Sequence, residues 1–119
     1  MMVNKFNAGH LEFKFKELNG IVSLLANNRL KERNFNEKSE LLMLNQLYSL
    51  ILNIESFTFI DNDFMRNEFD DLLLSSRNIY TELSDIFSED DSNTSWLIGK
   101  FDDFQDSYKS AYETLQLVL

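Results

Sequence analysis

The 119-residue chain contains no cysteine, no proline, three glycines and a single histidine. Without cysteine there is no disulfide staple, no thiolate metal site and no thiol nucleophile. Without proline, and almost without glycine, the usual punctuation of a β-rich protein is missing, which favours long uninterrupted helices. The one histidine, His10, stands between Gly9 and Leu11. No second imidazole joins it, so most metal and acid-base constellations lack their central member. Serine hydrolase chemistry needs a base within reach of the nucleophile and is not supported by one histidine without a G-x-S-x-G turn. A calcium loop beginning at Asp61 meets Arg66 where glycine is needed and Leu72 where glutamate is needed, and one beginning at Asp91 meets Trp96 at the glycine position. No cofactor is called for.

Basic residues are scarce as well, 11 against 20 acidic, for a net charge of −9. That balance argues against a direct grip on nucleic acid or on an anionic membrane, and for a basic partner or simple solubility. Met1 to Gly9 shows no apolar run ahead of a small-residue cleavage site, so a cytoplasmic location is expected. The longest uncharged apolar stretch, Leu41 to Ile54, has 14 residues broken by Asn45, Gln46 and Asn53. A bilayer span needs ~20.

What the chain does have is a sustained apolar pattern. Hydrophobic residues make up 44% and aromatics 13%, enough for one folded domain over residues 1–119. Leu11, Phe15, Leu18, Val22 and Leu25 step by four, three, four and three, lining one helical face from about Ala8 to Arg29. Leu11, Phe13 and Phe15 also alternate with charged residues as in a strand, but the alternation stops while the helical phase continues. Gly20 inside this helix costs about 1 kcal/mol relative to alanine. Asn34 and Glu37 have capping-box spacing, which places the start of a second helix near Phe35 and its end near Phe57. That helix is apolar on more than one side. It is therefore covered from several directions, with Leu42 and Met43 buried, or it offers a second face to another copy as a homodimer.

Asp61 is the expected cap of a third helix, from about Asn62 to Phe87, with Met65, Phe69, Leu72, Ser76, Ile79, Leu83 and Ile86 in phase. A fourth, from about Thr94 to Val118, carries Leu97, Phe101, Phe104, Tyr108, Ala111, Leu115 and Val118. The short acidic loop Ser88 to Asn93 joins them as a hairpin. The expectation is an all-α fold, an antiparallel bundle of about four long helices, up-down-up-down or a close relative.

The charge is lopsided. Residues 1–59 carry seven basic and six acidic side chains, whereas residues 60–119 carry four and fourteen. Asp71, Ser75, Asn78, Glu82, Asp85 and Glu89 form one polar line on the third helix, with Asp70 beside it. Asp102, Asp106, Lys109 and Glu113 form another on the fourth, with Asp103 beside it, and Asp90 and Asp91 help close the end of the hairpin. Solvation accounts for part of this, and the helix dipole favours Asp61, Asp63 and Asp102 near helix starts. Like charges four apart nevertheless destabilise a helix by ~0.2–0.5 kcal/mol each, a cost that complementarity to a basic surface would justify. Phe13, Phe35, Phe57, Phe59 and Trp96 do not fit the main stripes, and aromatics beside charge resemble interface anchors as well as bundle-end caps.

These features point to a non-enzymatic acidic binding protein of the immunity or antitoxin type, covering the basic nucleic-acid cleft of a nuclease toxin. The expected partner-binding residues are Asp71, Glu82, Asp85, Glu89, Asp90, Asp91, Trp96, Asp102, Asp103 and Asp106. Two alternatives stand beside this reading. One is a helical structural or regulatory subunit using the apolar excess of the second helix. The other rests on Glu37-Lys38-Ser39-Glu40 and Glu82-Leu83-Ser84-Asp85, which resemble the E-x-x-E and E-x-x-D pairs of all-α nucleoside triphosphate pyrophosphohydrolases of the MazG type. That resemblance implies Mg²⁺ held by Glu37, Glu40, Glu82 and Asp85 against a nucleotide diphosphate.

Overall fold

The four apolar stripes become four helices in the computed structural model, which describes residues 5–31, 36–56, 65–89, 94–117 and 119. They are α1 (Lys5–Leu30), α2 (Glu37–Glu55), α3 (Arg66–Glu89) and α4 (Ser95–Gln116). Among the described residues there is no strand, and the fold is an all-α four-helix bundle. The strand-like alternation near Leu11 is helical, because Leu11 and Phe15 lie one turn apart and are fully buried while Phe13 between them is 60% exposed.

The boundaries shift where local hydrogen bonding outranks apolar spacing. α1 begins at Lys5 rather than Ala8. α2 begins at Glu37 rather than Phe35, because the cap is Asn36: its backbone is extended and its side-chain oxygen accepts the Ser39 N–H at 2.8 Å. Asn34, the expected cap, and Phe35 lie outside the described residues. α2 closes at Glu55, ahead of Phe57, where the Ser56 hydroxyl donates to the Asn53 carbonyl at 2.6 Å. α3 runs on to Glu89, past the expected end at Phe87. Its expected cap Asp61 and start at Asn62 fall outside the described residues, as do Phe57, Phe59, Asp63 and Val118. Thr94 stands at the N-cap of α4 but makes no side-chain cap hydrogen bond.

Neighbouring helices run antiparallel and close into a ring. Arg29 near the end of α1 meets Glu40 near the start of α2. Tyr48 of α2 packs against Tyr80 of α3 with ring centroids 5.4 Å apart, and Glu55, later in α2, pairs with Arg77, earlier in α3. At the start of α1, Glu12 accepts from Gln116 Nε2 at 2.5 Å and from the Tyr112 hydroxyl at 3.4 Å, both late in α4. The tightest packing joins α3 to α4, while α1 and α3 touch only across the diagonal. This is up-down-up-down order.

One core runs through all four helices. The α1 stripe from Leu11 to Leu25 is buried throughout, as is the α3 stripe from Met65 to Ile86. Buried side chains of this size each contribute about 1.5–3 kcal/mol of hydrophobic stabilisation before chain entropy is charged. Ser76 sits in the α3 stripe without penalty, because its hydroxyl donates to the Leu72 carbonyl at 2.6 Å. α2, at 19 residues, is the shortest helix. Its last residue, Glu55, pairs with Arg77, which lies eleven residues into α3. The first part of α3 therefore extends beyond α2 along the bundle. No helix is long and apolar enough to cross a membrane, among the described residues.

Candidate functional site

Successive helical residues are rotated by about 100°, so known contacts fix the direction of the others. On α3, Tyr80 and Arg77 face α2. Asp71, Asn78, Glu82, Asp85 and Glu89 occupy the opposite flank, toward α4. On α4, Tyr108 packs against Phe15 of α1 and Tyr112 reaches Glu12, so Asp103 and Trp96 lie on the flank toward α3. Asp102 and Asp106 point outward between the two flanks. The α3–α4 hairpin thus gathers Asp71, Glu82, Asp85, Glu89, Asp102, Asp103 and Asp106 onto one side of the bundle, with Trp96, 70% exposed, at the end near the connecting loop. Asp90 and Asp91 lie outside the described residues.

Two features set these acids apart from ordinary surface charge. Among the described residues, none of the seven forms an ion pair, so no described cation cancels their field locally. Asp85 and Glu89 also sit in the last turns of α3, which carry no basic residue, at the helix end whose carbonyls already present partial negative charge. An acid there opposes the dipole by about 0.3–1 kcal/mol. The polar line expected on α3 is nonetheless not uniform. Ser75 is buried, with its hydroxyl on the Leu72 carbonyl at 3.1 Å, and Glu82 is half-buried, because this edge of the helix packs against α4.

The four carboxylates of the pyrophosphohydrolase pattern do not assemble. Glu40 is 4% exposed and held by Arg29, whose Nε and Nη2 donate to its two oxygens at 2.6 and 2.5 Å. Each of its oxygens is thus already engaged by that guanidinium. Glu82 and Asp85 occupy the α4 flank of α3, around the helix from the side that meets α2, so antiparallel packing does not bring them to Glu37 and Glu40. Among the described residues, no group of three or more ligating side chains is placed to hold a metal ion. His10 is exposed and belongs to no such group.

The apolar excess of α2 remains largely in solvent. Leu41, Leu42, Tyr48 and Leu52 are 46–55% exposed, and Met43 is half-buried against the core. Burial of Leu42 within the subunit, one of the two expectations, is therefore overturned: Leu42 lines an open groove of about 490 Å³ between α1 and α2 with Lys14, Glu17 and Ile21 opposite. Phe13, on α1, is likewise exposed. Compared with known proteins, the chain matches no family model, no curated sequence and no solved structure.

Proposed function

We propose that the protein is a non-enzymatic binding protein whose α3–α4 face docks onto a basic protein surface, as an immunity or antitoxin-type inhibitor does on the nucleic-acid cleft of a nuclease toxin. The observation that carries this reading is the set of seven exposed or half-exposed acids on one hairpin, paired with no cation among the described residues. A cleft built to hold phosphates is basic. An acidic occluder of such a cleft gains a factor of about 10–10³ in association rate from steering alone, and needs no catalytic group. Trp96 supplies a rigid apolar anchor at the edge of the charged face. A toxin neutralised in this way is held in the cytoplasm, and the cysteine-free composition suits that compartment.

The test separates function from solvation through stability. Replacing Asp85, Glu89, Asp102, Asp103 and Asp106 by lysine removes like-charge and dipole repulsion, so the fold is expected to hold or gain up to ~1 kcal/mol. Association with the captured basic partner is expected to slow and to lose its dependence on salt, because attraction beyond ~8 Å is screened at physiological ionic strength. Reversal of Lys14, Lys16 and Lys38 in the nearly neutral half leaves association unchanged or faster. Partner capture and salt dependence identical to wild type in the lysine variant would reduce the acids to solvation.

A further inference from the structure

Along the outer surface of α2, Lys38, Leu41, Asn45, Tyr48, Leu52 and Glu55 follow each other at steps of three, four, three, four and three. That is the spacing of a coiled-coil seam. Every member is exposed, including Leu41 at 46%, Tyr48 at 50% and Leu52 at 48%. The stripe is complementary to its own reverse: a cation at one end and an anion at the other, a leucine inside each, and two hydrogen-bonding groups at the centre. We propose that this stripe pairs with the same stripe of a second copy, antiparallel about a two-fold axis, to form a homodimer.

In that arrangement Lys38 faces Glu55 of the partner subunit, Leu41 faces Leu52 of the partner subunit, and Asn45 faces Tyr48 of the partner subunit. Each layer occurs twice by symmetry. The central layer gives the Tyr48 hydroxyl an amide oxygen to donate to; among the described residues that hydroxyl has no hydrogen bond, while its ring is already fixed against Tyr80. Among the described residues Lys38 has no ion pair, and Glu55, held by Arg77 through one oxygen, is 44% exposed and retains lone pairs for a second cation. Parallel pairing would set lysine on lysine and glutamate on glutamate.

Charge selects the same surface. Each subunit carries −9, so two copies associate only where their acids stay apart. No residue from Leu41 to Ile54 is charged. The acidic line Asp71, Glu82, Asp85 and Glu89 lies on the flank of α3 turned away from α2.

The chain lacks cysteine, which makes cross-linking specific. Leu41→Cys and Leu52→Cys proteins, mixed and oxidised with copper phenanthroline, are expected to cross-link to each other faster than either does alone. Sedimentation of the wild type should show a monomer–dimer equilibrium, with Leu41→Asp raising the dissociation constant about a hundredfold because the layer is lost twice. Lys38→Glu and Glu55→Lys should each weaken the dimer, and their combination should restore it. Circular dichroism of each variant should match the wild type, since all these positions are exposed. A monomer at every concentration, cross-linking of like with like as fast as the mixture, or no recovery in the combined charge swap would each overturn the proposal. The lysine-reversed α3–α4 variant should still dimerise, which keeps this test independent of the inhibitor reading.

Discussion

At Glu40 the carboxylate is 4% exposed and both its oxygens are taken by Arg29. Eleven positions separate the two residues across an inter-helix connection, so no local spacing announces the pair, and the sequence presents Glu40 only as one half of an E-x-x-E motif. Removing Arg29 leaves a buried charge without its partner. Arg29→Ala is expected to cost about 3 kcal/mol, the low end for a buried pair because the Arg29 side chain is 21% exposed. Arg29→Met combined with Glu40→Leu should recover most of it, and urea unfolding of the three proteins measures both effects. Tyr108 shows the opposite kind of legibility. Its place in the α4 stripe was readable, and its half-burial follows from the polar ring end needing water. Burial, then the neighbouring Tyr112, then the Glu12 carboxylate push its hydroxyl above the ordinary 10.0. The folded state therefore favours the neutral phenol. This contribution is complete below pH ~10 and is lost as pH rises through the raised folded value. Tyr108→Phe should leave stability near neutral pH unchanged and lessen the fall in melting temperature between pH ~9 and ~11.

At the level of the helix, the three inward stripes of α1, α3 and α4 were legible because a buried face imposes its period on the sequence over six or seven turns. Ends were less so. The choice of Asn36 over Asn34 as cap depends on which residue is extended when its oxygen meets the N–H three residues on, and spacing alone offers both. The acidic hairpin was also legible as composition, but which acids share a flank required knowing that Tyr80 faces α2 and Tyr112 faces α1. Ser75 was misplaced for that reason: a polar residue at the α3–α4 edge is buried once its hydroxyl finds a carbonyl within its own helix. Gly20 interrupts nothing. It lies exposed inside α1, and a Cβ added there meets no atom within 4 Å. Gly20→Ala should therefore stabilise the protein by about 1 kcal/mol through helix propensity and a less flexible unfolded chain. A rise in melting temperature of about 4 °C in a thermal scan checks it.

Across the whole molecule, the bundle presents an anionic face on the α3–α4 hairpin and, on α2, a stripe that is charged only at its two ends, Lys38 and Glu55. The combination was only half visible in sequence, since the charge imbalance between the two halves is a count whereas their separation in space follows from ring closure. That closure is made by α1 against α4, through contacts spanning 100 and 104 positions of the chain. Every other junction joins helices that follow one another. A contact formed across so long a span repays its loop entropy only after the intervening helices have docked, so it belongs to the late stage of folding. The time course of folding is thereby separated from that of opening. Glu12→Ala, which removes the carboxylate shared by Tyr112 and Gln116, should leave the refolding rate unchanged and raise the unfolding rate about fivefold, for a loss of ~1 kcal/mol. Stopped-flow chevrons measure both arms. The same asymmetry makes the α1–α4 junction the first to part under native conditions, so amide hydrogens of α1 near Glu12 should exchange ahead of those in the α3–α4 hairpin, and the lifetime of the closed ring is set at the point where its two most distant segments meet.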